Sequence, residues 1–251
     1  MAQKLSEHSF IVVVPAAGVG KRMKANCPKQ YLTINGKSIL AHTVDRLLSH
    51  PLIEKVILSL GEDDQYFAES ELAQRDDIIR VDGGKERVDS VLNGLRAINA
   101  GEHPWVLVHD AARPCVQLSD IDRLISQCIE NDSGGLLATP VRDTMKRGKK
   151  DNKNISTVDS TVEREQLWHA LTPQLYKTEQ LVNAIESALA KKIAITDESS
   201  AIEQAGLMSL LISASHENIK ITHPDDLVLA EFILNKQKSQ TMITQQYKEQ
   251  S

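Results

Sequence analysis

Three fixed cations, Lys21, Arg22 and Lys29, follow Gly20 within nine positions, in a stretch that reads Pro15-Ala-Ala-Gly-Val-Gly20-Lys-Arg-Met23 and then Pro28-Lys-Gln-Tyr-Leu32. Small residues with permissive backbones let a ligand come close to main-chain N–H groups, and cations beside such a turn suit a polyphosphate. Two familiar phosphate loops do not match. A Walker loop needs Ser or Thr after Gly-Lys, but Arg22 follows Gly20-Lys21 and Pro15 stands where the first glycine belongs; a dinucleotide fingerprint needs a third glycine where Met23 stands. The residues alone also allow an ordinary glycine turn with solvated lysines.

Two more stretches hold residues suited to chemistry. Gly83-Gly-Lys-Glu-Arg-Val-Asp-Ser90 has glycines for close approach, a helix start with free N–H groups, and a hydroxyl that could read a pyrimidine. A capped turn with no ligand fits it equally. His109-Asp-Ala-Ala-Arg-Pro114 follows an apolar run. Asp110 there could hold a hydrated metal or substrate hydroxyls, or be answered by Arg113 as a structural ion pair. Cys27, Cys115 and Cys128 lack metal-type spacing, and their odd number suits a reducing compartment. Cys27 reads as a plain loop thiol.

PAAGVGKRM followed by PKQYL resembles the nucleotidyltransferases that activate small phosphates or sugars with an NTP. In detail it is similar to the 2-C-methyl-D-erythritol 4-phosphate cytidylyltransferases of isoprenoid biosynthesis, with further matches from about Val12 to Phe232. The resemblance implies a triphosphate cradle at Ala16, Ala17, Gly18, Gly20 and Lys21, with Arg22 and Lys29 at the α-phosphate. The family's GGxxRxxS pattern, which contacts cytosine, falls on Gly83, Gly84, Arg87 and Ser90. HDAARP is matched in full; it implies Asp110, with Ala111 beside it, near substrate and the CTP ribose or metal, and Arg113 serving a neighbouring subunit's substrate. Thr144, Arg164, Thr172, Thr196 and Lys220 fall on family positions in RDTMKR, VERE, LWHALTPQ, ITDESSAIE and NIKIT. As a group they suit a phosphorylated polyol. His109 and His169, though inside matched motifs, read as packing or hydrogen-bonded residues. The implied cofactor is Mg2+ or another divalent cation, with Asp110 its nearest carboxylate. The implied reaction joins CTP and the polyol phosphate into a CDP-alcohol and pyrophosphate. A ribitol-5-phosphate cytidylyltransferase and a non-catalytic nucleotide-binding module are the competing readings.

These groups need a scaffold that gathers them. Apolar runs at Phe10–Val14, Val56–Leu60, Ile78–Val81, Trp105–Val108 and Leu136–Thr139 read as strands. Helical stripes fall at Ser38–Ser49, Gln65–Arg75, Arg87–Ile98, from a cap at Ser119 to Asn131, and at Lys177–Lys191. Thr196–Ser200 opens another helix, Asn218–Ile221 reads as a short strand, and Thr222–Asp225 caps a last helix through Leu234. The alternation predicts an α/β, mostly parallel, Rossmann-like sheet flanked by helices, with ligands beyond the strands' carboxyl ends. The resemblance implies its glycosyltransferase-A-like variant. The domain is expected at 1–236, with a polar tail at 237–251. An alternating hairpin at about 140–166 has too few apolar residues for a core of its own, so it must pack elsewhere or project; the resemblance implies an arm that embraces a second subunit in a homodimer. With 251 residues and a net charge of −5, general nucleic-acid or acidic-membrane binding is not expected, so basic function must be local. The polar start and the lack of a membrane-length apolar stretch predict a cytoplasmic protein.

Overall fold

The computed structural model describes residues 8–18, 27–151 and 154–249. Eleven strands and six helices, numbered here in chain order, are found among them. Seven strands form one sheet in the order β11-β7-β10-β6-β1-β4-β5. β1 is Phe10–Pro15, β4 Ile53–Leu60, β5 Ile78–Asp82, β6 Trp105–Val108, β7 Gly135–Pro140, β10 Trp168–Lys177 and β11 Leu210–Ser213. Only β10 runs against its neighbours, β6 and β7; the other pairs are parallel.

Side chains alternate across a strand, and β1 shows what that does. Val12 and Val14 join one buried cluster with Leu40, Val44, Ile121 and Leu124. Ile11 and Val13 join another on the opposite face with Val91, Leu95, Leu181 and Ile185. The first face is covered by α1 (Ile39–Leu48) and α3 (Leu118–Glu130), the second by α2 (Arg87–Arg96), α4 (Thr178–Ala190) and α5 (Glu198–Gln204). A third cluster seats α6 (Pro224–Glu249) through Ala230 and Ile233 on Ile39, Ala112 and Ile221.

Several expectations are corrected. Residues 65–75 form consecutive turns, not a helix: the Asp64 carboxylate accepts from the N–H groups of Tyr66 and Phe67 as a helix cap would, but beyond it the backbone bonds span three residues, Ser70 N to Phe67 O and Ala73 N to Ser70 O, and no helical ladder follows. Asn218–Ile221 is not a strand; its one sheet-like bond is Ile221 N to Ala112 O, at 2.9 Å. The true edge strand, β11, lies earlier. α3 starts at Leu118 with Gln117 in the cap position, so Ser119 lies inside it. The segment expected from 237 as a polar tail continues α6 to Glu249. Buried Gln237 explains why the helix does not stop at Leu234: it accepts from Arg46 Nη2 and donates to the Cys115 carbonyl.

The arm takes the expected form. β8 (Met145–Lys150) and β9 (Ser156–Val162) pair only with each other, and both are exposed apart from half-buried Val162. Two short strands, β2 (Thr33–Ile34) and β3 (Lys37–Ser38), lead into α1, where the Ser38 hydroxyl accepts from Ala41 N.

Candidate active site

One cleft gathers residues from three loops at the carboxyl ends of strands. After β1, Ala16, Ala17 and Gly18 line it; after β5, Gly84, Arg87 and Ser90; after β6, Asp110 and Ala111. Lys29 and Lys220 complete the wall. Gly20, Lys21 and Arg22 lie outside the described residues. Lys29 sits in a single 3-10 turn, Lys29–Tyr31, held at both ends: Gln30 donates to Ala16 O at 2.7 Å, and the Tyr31 hydroxyl donates to Asp64 Oδ2 at 2.8 Å. Lys29 Nζ itself donates to Ile221 O at 3.0 Å, linking this turn to the segment that carries Lys220.

The glycine loop is built by packing. A Cβ on Gly83 would lie 2.4 Å from the Ala17 side chain, and one on Gly84 would lie 2.1 Å from that of Asp89. Glycine here lets the second loop close against the first. The Gly83 N–H donates to Leu60 O, and the Gly84 N–H to the Ser90 hydroxyl, which in turn donates to Glu86 O. Ser90 is therefore used within the loop, and the N–H groups of both glycines are already paired.

Asp110 is the electrostatic centre. Its Oδ1 accepts from Arg87 Nε at 3.2 Å; its Oδ2 accepts from Lys220 Nζ at 2.9 Å and Arg113 Nε at 3.2 Å. Burial alone would raise this carboxyl, but Arg87, Lys220 and Arg113 override it and hold it well below the usual carboxylate range. Arg113 is itself buried, donating also to Asn218 O at 2.8 Å. It forms the ion pair with Asp110 that the spacing allowed.

Behind the site runs a chain of buried bonds. The His109 Nε2–H donates to Arg113 O, which leaves Nδ1 to accept from the Thr172 hydroxyl; Thr172 Oγ1 accepts in turn from Asp110 N–H at 3.0 Å. Burial pushes the His109 imidazole down to about 4, so it is neutral near pH 7 and makes these bonds as a single tautomer. His109 is a buried, hydrogen-bonded residue, as expected despite its place inside a matched motif. The Thr172 hydroxyl is engaged in the interior, between His109 and the Asp110 main chain.

A second recess adjoins the first. Thr196, Thr172 and Arg113 line it, and it shares Arg87, Asp110 and Lys220 with the first cleft. Thr196 is exposed there, one residue before Asp197, the N-cap of α5. Thr144 and Arg164 are not brought to either recess. They line a separate hollow at the root of the arm with Val162 and Glu163, where Arg164 donates to the Arg142 carbonyl. His169 is exposed on β10.

Sequence reasoning missed Gln30, Gln174 and Glu198. Gln174 ties β10 to α5, donating to Asp197 Oδ2 and accepting from Ser199 N. Glu198 binds Arg87 through both carboxylate oxygens. An acidic residue in a helix's first turn is accounted for locally by the helix dipole, so nothing in ITDESSAIE pointed to a partner 111 positions away.

For a metal, the donor set is sparse. Among the described residues no group of three metal-ligating side chains exists. One carboxylate, Asp110, stands at the junction of the recesses. That fits an ion carried mainly by substrate phosphates, as Mg2+ commonly is, and does not fit an all-protein cage.

Residues 10–236 match the family model described as "IspD: 2-C-methyl-D-erythritol 4-phosphate cytidylyltransferase". A protein of that name from Colwellia psychrerythraea is 70% identical over 236 residues, spanning 92% of this chain and 97% of that protein. One from Vibrio parahaemolyticus is 56% identical over 240 residues, 95% of this chain and 100% of that protein. The crystal structure of the Francisella tularensis protein superposes with a TM-score of 0.76 at 35% identity, covering 90% of this chain and 99% of that one. With the family pattern matched along nearly its whole length and the same fold beneath it, this chain belongs to the 2-C-methyl-D-erythritol 4-phosphate cytidylyltransferase family.

Proposed function

We propose that this protein transfers CMP from CTP to 2-C-methyl-D-erythritol 4-phosphate, giving 4-diphosphocytidyl-2-C-methyl-D-erythritol and pyrophosphate in isoprenoid biosynthesis. An oxygen of the acceptor's phosphate attacks the α-phosphorus of CTP. A new P–O bond forms, the α–β bridging P–O bond breaks, and the electron pair leaves with pyrophosphate. The attacking phosphate has a second pKa near ~6, so it is largely ionised at neutral pH and needs no protein base. What opposes reaction is repulsion between two anions, and catalysis is positioning plus charge neutralisation.

The observation that carries this reading is the pair of recesses sharing Arg87, Asp110 and Lys220. The cleft between Ala16–Gly18 and the glycine loop takes CTP, with the base toward Gly83–Ser90 and the triphosphate toward Lys29. Gly20, Lys21 and Arg22, assigned from sequence, continue that cradle. The recess at Thr196 takes the polyol phosphate, with Lys220 on its phosphate. Arg164 and Thr144, which lie apart from both recesses of their own chain, would meet the acceptor phosphate from the arm of a second subunit in a homodimer. Mg2+ is the expected cofactor; Asp110, directly or through water, is the residue that would hold it, and the ion would neutralise phosphate charge. Action in the cytoplasm is part of this reading; no described helix is long and apolar enough to cross a membrane.

The test is a pyrophosphate-release assay across the four NTPs with 2-C-methyl-D-erythritol 4-phosphate or ribitol 5-phosphate as acceptor. The expected result is turnover with CTP and the methylerythritol substrate, and at least tenfold lower kcat/KM for the others. Preference for ribitol 5-phosphate would reassign the acceptor. CTP binding with no pyrophosphate from any pair would mean a binding module.

A further inference from the structure

Arg87 is gripped from two sides. Its Nη1 and Nη2 donate to Glu198 Oε1 and Oε2 at 2.7 and 3.2 Å, while Nε donates to Asp110 Oδ1 at 3.2 Å. Arg87 and Glu198 come from opposite parts of the site. Arg87 opens α2 directly behind the glycine loop, on the side assigned to the nucleotide. Glu198 opens α5 two residues after Thr196, on the side assigned to the acceptor, and is only 2% exposed. Glu198 lines neither recess, whereas Arg87 and Asp110 line both.

We infer that Glu198 is a positioning residue for nucleotidyl transfer: by holding Arg87 in a two-pronged ion pair it fixes the Asp110 carboxylate between the two recesses, without touching either substrate. The inference rests on the assignment of those recesses to CTP and the acceptor.

A guanidinium offers a planar fork of donors. Glu198 occupies the two terminal nitrogens, so Asp110 receives a single bond from Nε and keeps Oδ2 for Lys220 and Arg113. Without Glu198 the fork is free to turn and take Asp110 in bidentate fashion, drawing that carboxylate away from Lys220. Charge changes as well. Arg87, Arg113 and Lys220 against Asp110 and Glu198 is three positive and two negative charges; neutralising Glu198 leaves the cluster one charge more positive. Ground-state affinity for anions is thereby kept or increased while their alignment is lost. Binding that is not specific to the transition state does not raise kcat, and small misplacements are costly.

The test is steady-state pyrophosphate release by purified, full-length Glu198→Gln protein, well below its melting temperature. The expected result is kcat lowered about tenfold or more, with KM for CTP and for the acceptor unchanged or lower. Arg87→Lys, which keeps the charge and lacks the planar fork that pairs with both Glu198 oxygens, should behave alike, and the double variant should be no slower than Arg87→Lys alone. A purely structural role would lower the melting temperature and leave kcat within threefold of wild type, which would overturn the inference. So would multiplicative losses in the double variant, or a raised acceptor KM with kcat retained. If Glu198→Gln does not fold, Glu198→Asp, which sets the charge one methylene short of Arg87, carries the same test. Wild-type protein that releases no pyrophosphate would overturn the functional reading and this inference together; active wild type with normal Glu198→Gln kinetics overturns this inference alone.

Discussion

Lys29 is the cation of the first loop whose setting can be traced bond by bond. Gln30 and Tyr31 pin its turn to Ala16 and Asp64, so its charge is delivered with little reorganisation. Removing one donor aimed at developing charge typically costs about 10²–10³ in rate. Lys29→Ala should therefore lower kcat by that order while CTP affinity changes far less. Near-normal kcat with weakened CTP binding would make Lys29 a binding residue only. His109 makes a different prediction. Its folded pKa of about 4 lies below the usual 6.5 because of burial, so between those values the unfolded chain binds a proton that the folded chain does not. Stability is complete above about 6.5 and falls as pH drops toward 4, by on the order of 3 kcal/mol over the window. His42 and His50, also lowered by burial, act in the same direction. Thermal melts from pH 7 to pH 5 should show a drop in Tm that is smaller in His109→Gln; an equal drop would remove this residue's share. At this scale the types of the site residues were legible in sequence and their duties only partly so. Thr172 and Ser90 carry hydroxyls that sequence offers to a ligand, and tertiary contacts 63 and 6 positions away claim them first.

At the scale of elements, strands and amphipathic helices announced themselves because each buries a continuous face. The failures have local causes. Residues 65–75 have helical spacing and a capping Asp64, but their backbone bonds close three-residue turns at Ser70, Ala73 and Arg75 instead of a helical ladder. The polar stretch after Leu234 gives no apolar stripe, and its helix is carried on by the hydrogen bonds of Gln237. β10 went unseen because its sequence, Trp168-His-Ala-Leu-Thr-Pro-Gln-Leu-Tyr-Lys177, mixes polar residues and a proline with its buried half. The arm was legible from its alternation and its lack of a core. Its exposed strands place Arg164 at the root, apart from both recesses. Arg164→Ala should accordingly raise KM for the polyol phosphate while leaving CTP affinity and folding intact. An unchanged acceptor KM in steady-state kinetics would remove the arm from substrate binding.

The whole molecule carries a net charge of −5, yet cations from widely separated segments meet at one end of its sheet. Lys29 follows β1, Arg87 follows β5, Arg113 follows β6, and Lys220 lies beyond β11. A parallel sheet does this because it sends the carboxyl ends of its strands, and the loops after them, to one edge. The central claim is that this edge holds CTP by its triphosphate beside an anionic acceptor. A crystal structure with CTP bound tests it most directly. The account predicts the triphosphate against Ala16–Gly18 and Lys29, with the base at the loop that begins at Gly83. A triphosphate bound away from the turn after β1 would contradict it.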